Sequence, residues 1–298
     1  MTGVQTCALP IFAIKKLVQH GRPAEAVLCV SRTIDNEELF RPDLAIAALL
    51  GALASEGAAK RLDQHAAIEV ISKLQTSSAV EPHVLFQIEW NFLPWLSRFS
   101  SGSPKTLARQ LATDPSFFCE VIRLVFRSDK EDNQNQEPTE HHRQVARNAY
   151  RLLMEWRRCP GTQDSGDFDP EDFSRWLNEA RRIAEETGHL EIALSQIGHV
   201  LTHAHPDPNG LWIHGRVAEA LDTRDADAMR SGFTTELFNQ RGVHGFTSGR
   251  EERELAAKNR AKAESLEAAG FTRFATAMRE FARGYERDAE REESRDPF

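Results

Sequence analysis

Residues 249–291 read GREERELAAKNRAKAESLEAAGFTRFATAMREFARGYERDAER, and this stretch decides the fold class. Gly270 divides it into two segments, and each segment has apolar residues at the spacing of an amphipathic helix. The second segment places large apolar side chains at positions i, i+4, i+7 and i+11, which share one helix face. We therefore predict a terminal helical hairpin with a charged exterior. Its two packing faces are Phe274, Met278, Phe281 and Tyr285 against Leu255, Ala256, Ala263 and Leu266.

The helical spacing extends through the rest of the chain, where no stretch alternates apolar and polar residues over the length of a strand. Ala, Leu, Glu and Arg, which favour helices, fill the segments. Short turns join most segments, so neighbouring helices are expected to pack as antiparallel hairpins. We predict an all-α fold, an irregular α-solenoid or bundle without a substantial β-sheet. The predicted helices span residues 12–20, 23–33, 43–55, 63–76, 82–98, 104–113, 115–127, 139–158, 170–187, 189–205, 210–222, 225–240, 249–269 and 271–291.

Capping residues mark several of these helix boundaries. Asp114 and Asp169 each precede a proline, which is the pattern of an N-cap followed by proline at the first helical position. Gly188 lies where a glycine ends a helix. Ser248 and Glu251 have the spacing of a capping box, so we expect Ser248 to cap the first helix of the terminal hairpin.

Composition and charge exclude several classes of protein. The chain has 298 residues, of which 40% are apolar and 28% charged, and its net charge is −8. This acidic balance argues against nucleic-acid binding, which needs basic patches. The longest apolar run, residues 44–54, is far shorter than the roughly 20 residues of a membrane span. Residues 164–191 hold nine acidic and three basic side chains, which form either a solvated face or a surface for a basic partner.

The cysteines indicate a reducing environment. Outside residues 1–11, which hold Cys7, the cysteines Cys29, Cys119 and Cys159 are far apart and form no Cys-x-x-Cys pair, so neither a disulfide framework nor a common zinc pattern is present. Each is interpreted as a small buried apolar residue. We expect a cytoplasmic protein.

Motifs for catalysis are not found. Residues 102–106, GSPKT, lack the glycine spacing of a phosphate-binding loop, and their proline removes an amide that such a loop needs. Residues 245–249, GFTSG, place the serine one position late for a nucleophile elbow. The sequence therefore predicts no catalytic residue and no cofactor.

Two weaker candidates for a site remain. His199 and His203 lie one helical turn apart and His205 follows, so a metal site or a metal-dependent enzyme is the alternative hypothesis. The competing interpretation is a helix end where the dipole favours histidine. The second candidate is the glycine-containing loop RGVHGFTS at residues 241–248. Arg241 and His244 of this loop would contact an anion or a partner, unless the loop is a plain connector.

The start of the chain and one polar stretch suggest a domain organisation. Residues 1–11, MTGVQTCALPI, resemble a translated sequencing adapter, so we expect them to be artefactual and the natural protein to extend further upstream. Residues 130–140, KEDNQNQEPTE, are polar and have no apolar anchor, which predicts a linker. The expected subdomains are residues 12–129, truncated at its start, and residues 141–298.

Residues 13–30, AIKKLVQHGRPAEAVLCV, resemble one tetratricopeptide-type hairpin. Together with the hairpin layout and the charged terminal hairpin, they make residues 12–298 similar to the C-terminal helical region of large bacterial multi-domain helical-repeat proteins, many of them associated with phage defence. The resemblance implies a non-catalytic protein-interaction or regulatory scaffold. Its expected partner is another protein or the upstream domains of its own chain, with neither nucleic acid nor membrane involved.

Overall fold

The computed structural model describes residues 4–54, 56–96, 102–129, 139–242 and 248–295. These residues form fifteen helices and no strand; one isolated bridge joins Thr162 and Phe168. The predicted all-α fold is confirmed. The first helix begins at Val4, earlier than the predicted start at residue 12. No helix in the described ranges combines the length and the apolar character needed to cross a membrane.

The chain divides into two compact units. Unit 1 comprises Met1–Gln110 and Pro138–Trp156, and unit 2 comprises Leu111–Glu137 and Arg157–Phe298. This division differs from the predicted one, in which a linker at 130–140 separated two continuous segments. Most of that linker, residues 130–138, lies outside the described residues.

Packing contacts explain the difference. The helix after the predicted linker belongs to unit 1, where the Asn148 side chain donates to the Trp90 carbonyl at 3.2 Å. The helix before the linker belongs to unit 2, where the Phe118 and Trp176 rings pack with centroids 5.2 Å apart. Neither contact is visible in the local sequence, because each joins residues about sixty positions apart.

Unit 1 buries a continuous apolar core. Apolar side chains from several helices are fully buried in it, among them Val27, Leu49, Ile71 and Ile88. Pro94 follows the end of α6, as its missing N–H requires. The helices are α1 (Val4–Gln19), α2 (Pro23–Ser31), α3 (Pro42–Leu53), α4 (Glu56–Ala59), α5 (Gln64–Leu74), α6 (Pro82–Phe92), α7 (Lys105–Thr113), whose last residues belong to unit 2, and α9 (Glu140–Glu155).

Unit 2 has an aromatic core. The Phe233 and Phe274 rings pack edge to face at 5.2 Å, and Trp212 lies within about 6 Å of both. The Trp212 indole N–H also donates to the Lys262 carbonyl at 3.2 Å, so its polar atom is satisfied. The helices are α8 (Pro115–Val125), α10 (Pro170–Thr187), α11 (Leu190–Leu201), α12 (Gly215–Asp222), α13 (Asp227–Asn239), α14 (Arg250–Ala268) and α15 (Thr272–Arg295).

Most of the predicted caps are present. The Asp114 carboxylate accepts from two amides of α8, and the Asp169 carboxylate accepts from two amides of α10. Gly188 ends α10 in the left-handed conformation. The capping box is wrong: Gly249, not Ser248, is the N-cap of α14, and no side chain caps it. Its positive φ and its close approach to the Ala289 backbone require glycine at this position.

The terminal hairpin is formed by α14 and α15, as predicted. Phe274, Met278 and Tyr285 are buried along one face of α15. Phe281, the fourth residue of the predicted stripe, is only half-buried. It lies at the edge of the packed face.

Candidate interaction site

The site is built on an unusually close crossing of α11 and α13. A Cβ atom added to Gly198 would lie 2.0 Å from the Met229 carbonyl oxygen, and one added to Gly232 would lie 2.0 Å from the Ser195 carbonyl oxygen. Both positions therefore admit only glycine. The two backbones touch here, which brings the side chains of the next helical turns within reach of one another.

Polar side chains, of which only Glu236 is fully buried, lie on the C-terminal side of this crossing. We call His199, His203, Glu236, Gln240 and Arg157 the His–Glu cluster. The Gln240 amide nitrogen lies 3.4 Å from His203 Nε2 and 3.4 Å from Glu236 Oε1. The Arg157 guanidinium lies 3.9 Å from Glu236 Oε1, and Glu236 is only 3% exposed. The buried carboxylate thus has long contacts with its neighbours.

Burial sets the protonation of the two histidines. It lowers the pKa of His203 to about 4, and the Arg157 charge adds to this effect while Glu236 opposes it. The pKa of His199 is lowered mainly by the same burial. Both imidazoles are therefore neutral at pH 7. They have the chemistry of hydrogen-bonding and ligating groups rather than of charges.

His205 does not join these two histidines in a metal site. α11 ends at Leu201, earlier than the predicted helix, so His205 lies in the following turn. Its Nε2 is 3.4 Å from Thr162 Oγ1, and its ring lies 5.9 Å from that of Phe168. Within the described ranges, no three His, Cys, Asp or Glu side chains are arranged to hold a metal ion. The geometry gives the metal hypothesis no support.

Arg241, the predicted contact residue, immediately follows the His–Glu cluster in sequence. Its guanidinium pairs with the buried Glu252 carboxylate and lies 5.3 Å from the centre of the Tyr285 ring. The Phe238 ring also stacks on the Tyr285 ring, with centroids 6.3 Å apart. His244, the second predicted contact residue, lies outside the described residues.

These side chains form a groove of about 370 Å³, which we call the Arg241 groove. Phe238 is 52% exposed at its edge. Asp288 is paired with Arg291 at 3.1 Å, whereas Glu292 accepts the Gly249 N–H at 3.0 Å and forms no ion pair with a described residue. The groove is lined by Phe238, Arg241, Gly242, Glu252, Asp288, Arg291 and Glu292.

Arg241 and the histidines are candidates in the sequence, whereas Glu236, Gln240 and Phe238 are not recognisable from it. Glu236 and Gln240 are four residues apart, a common surface spacing that carries no sign of burial. Phe238 lies within the predicted helix 225–240, and nothing in the local sequence indicates that it faces outward. The signal that was available is the glycine at 232 within a helical segment, which indicates close backbone packing.

The buried cysteines offer no reactive thiol. Burial raises the pKa of the Cys119 thiol to about 12 and also raises that of Cys159. Both side chains are therefore protonated at neutral pH, whereas the thiolate is the reactive form.

Comparison of the chain with family models, with curated proteins and with solved structures finds no significant match.

Proposed function

We propose that this chain is a non-catalytic protein-interaction or regulatory module, and that the Arg241 groove binds its partner. The observation that supports the proposal is Phe238, a large apolar side chain that is half exposed yet held in place by Tyr285. Aromatic and arginine side chains carry much of the binding energy in protein interfaces. We also propose the helical-repeat relationship that residues 13–30 suggest.

The groove presents these side chains from two helices. Phe238 and Arg241 stand at the end of α13, and Tyr285 and Glu292 stand on α15. Arg241 is fixed by its pair with Glu252 and by the Tyr285 ring, so little side-chain freedom is lost when a partner binds.

The negative charge of the chain and of the groove indicates the chemistry of the partner. The chain carries a net charge of −8, and Glu292 adds a carboxylate at the groove that no described cation neutralises. We propose that the occupant is a segment of another protein in which an apolar side chain is flanked by lysine or arginine. The apolar side chain would pack on Phe238 and a basic side chain would pair with Glu292.

Peptide selection tests this proposal. A phage-displayed peptide library is selected against the full chain, and the enriched peptides are measured by fluorescence anisotropy. We expect enrichment of peptides that combine basic and apolar residues, and weaker binding at high salt because exposed charges are screened. Phe238→Ser should reduce the affinity by about tenfold or more, and Glu292→Gln by less.

Tyr150→Ser is the matched control, because Tyr150 is an aromatic residue of α9 with 49% exposure and lies in unit 1. Its substitution should leave peptide binding unchanged. Circular dichroism on each variant separates lost binding from lost folding. Equal peptide affinity for wild type and a folded Phe238→Ser variant would contradict the assignment of the groove.

A further inference from the structure

A second and larger cleft, of about 660 Å³, lies between α13 and α15. We call it the arginine cleft. Its volume falls in the usual range for small-molecule sites, about 300–1,000 Å³. It is lined by Arg224, Asp227, Arg230, Ser231, Thr234, Arg273, Thr276, Ala277, Glu280 and Phe281.

Arg230 belongs to the framework of the cleft. Its guanidinium donates to the carbonyls of Leu221 at 2.7 Å and Thr223 at 2.8 Å, and it pairs with Asp227. The side chain is buried, and these three acceptors hold it in one conformation. Arg230 therefore contributes a fixed positive charge to the side of the cleft, but its guanidinium is already held by protein acceptors.

Arg224 and Arg273 are the free cations of the cleft. Both are exposed, and neither forms an ion pair with any residue that the structure describes. Arg181 and Arg279 of the same unit are instead paired with carboxylates. Asp225, the acidic neighbour of Arg224 in sequence, forms its ion pair with Arg181. The lining holds three arginines against the carboxylates of Asp227 and Glu280, so the cleft is slightly positive in a chain that is acidic overall.

The remaining lining fits the other parts of a nucleotide. The Ser231 hydroxyl is a further donor for a phosphate oxygen. Phe281 lines the cleft while its ring packs edge-on against Tyr285 at 5.0 Å, which leaves apolar surface for a flat ring. The Glu280 carboxylate is an acceptor for ribose hydroxyls or an amino group.

We propose that the arginine cleft binds a mononucleotide, with its phosphate between Arg224 and Arg273 and its base on Phe281. Guanidinium groups bind phosphate oxygens through paired, charge-assisted hydrogen bonds, which explains why two unpaired arginines face one cleft. This proposal does not depend on partner binding at the Arg241 groove.

Isothermal titration calorimetry of the full chain at low ionic strength tests the proposal. The probes are AMP, GMP, CMP and UMP, with inorganic phosphate and adenosine as partial ligands. We expect at least one mononucleotide to bind more tightly than either partial ligand. The double variant Arg224→Ala/Arg273→Ala should raise its Kd by about a hundredfold. Phe281→Leu should raise it by roughly tenfold and leave phosphate binding unchanged.

Arg216→Ala is the matched control, because Arg216 is an arginine of unit 2 that pairs with Glu219 outside the cleft. It should bind the nucleotide as the wild type does. Three results would each overturn the proposal: no mononucleotide binding at millimolar concentration, unchanged binding in the folded double variant, or nucleotide binding no tighter than that of phosphate.

Discussion

Glu89 in unit 1 and Glu236 in unit 2 are both buried carboxylates, but their surroundings differ. Glu89 accepts from the backbone amides of Thr106 at 3.0 Å and Leu107 at 2.9 Å, and from the Gln75 amide at 2.7 Å. Its carboxylate therefore caps α7 from a distant helix. Glu236 has instead the Arg157 guanidinium at 3.9 Å and the Gln240 amide at 3.4 Å.

The contrast shows that two carboxylates buried to a similar extent can be held by very different contacts. At Glu89 the cost of burial is offset by short hydrogen bonds, and the arrangement is structural. At Glu236 the contacts are long, two neutral histidines are adjacent, and the Arg241 groove begins one turn away. The long contacts of a buried carboxylate next to an exposed groove distinguish the second region.

The largest effect is expected at the helix crossing beneath the His–Glu cluster. Gly232→Val places side-chain atoms against the Ser195 backbone, so α11 and α13 must separate. We expect a loss of about 4 kcal/mol or more in the stability of unit 2, measured by urea unfolding. Gly284→Ala is the control, because a Cβ there meets only the end of Arg287 at 3.9 Å. It should stabilise α15 slightly, since alanine favours a helix. A stable Gly232→Val variant would show that the crossing is not rigid.

Removal of each carboxylate sharpens the comparison. Glu89→Ala deprives the α7 amides and Gln75 of their acceptor, and we expect a cost of about 3 kcal/mol. Glu236→Ala should cost about 1 kcal/mol, because its contacts are long. Denaturant titration of both variants measures the difference. Equal costs would mean that the two regions are structurally equivalent.

The two regions should respond to pH with opposite signs. The pKa of His203 is about 4 in the folded state, against 6.5 ordinarily. Between these values the unfolded state binds more protons, so acidification from pH 6.5 to 4 weakens folding, by about 1–2 kcal/mol once solvent screening is included. Burial raises the pKa of Glu89, so the folded state binds that proton first and acidification toward pH 4.5 strengthens folding.

Thermal melts across pH 4–7 measure these slopes. His203→Gln should flatten the acid-induced loss of stability, and Glu89→Gln should remove the opposing gain. Asn or Gln at these sites keeps hydrogen bonding without titration. An unchanged pH profile in His203→Gln would refute the role of this histidine.

The smallest effect is expected on the acidic surface. Arg182 on α10 pairs with Glu179 and Glu186, and all three side chains are exposed. Arg182→Ala should leave the melting temperature unchanged within error, because solvent screens such pairs. A clear fall in the melting temperature would show that surface ion pairs contribute to unit 2 as much as its interior does.

Local signals in the sequence were sufficient for the helices but not for the site. The caps at Asp114 and Asp169 act within three residues of their partners, so spacing alone predicts them. The contacts that define the units and the clefts join residues that are far apart in the chain. The cap on α7 comes from Glu89 in another helix, and no local pattern indicates it.

For the same reason, the sequence predicted only part of the candidate site. Arg241 was identified from its unusual loop, but its partners Glu252 and Tyr285 lie on two other helices. Phe281 was assigned to the core by its helical spacing, yet it lies where the packed face ends and the arginine cleft begins. Spacing fixes a side chain's position on its helix, whereas the neighbouring helices decide whether that position is covered.

The glycine crossing of α11 and α13 also has a consequence for divergence. Side chains on the surfaces of both helices are free to change, but a chain that keeps this crossing has to keep glycine at positions 198 and 232 together. Replacement of one glycine is tolerated only if the helices move apart, which abolishes the need for the other. The two positions should therefore vary as a pair, and their joint presence is a test for distant kinship among sequences that share little else.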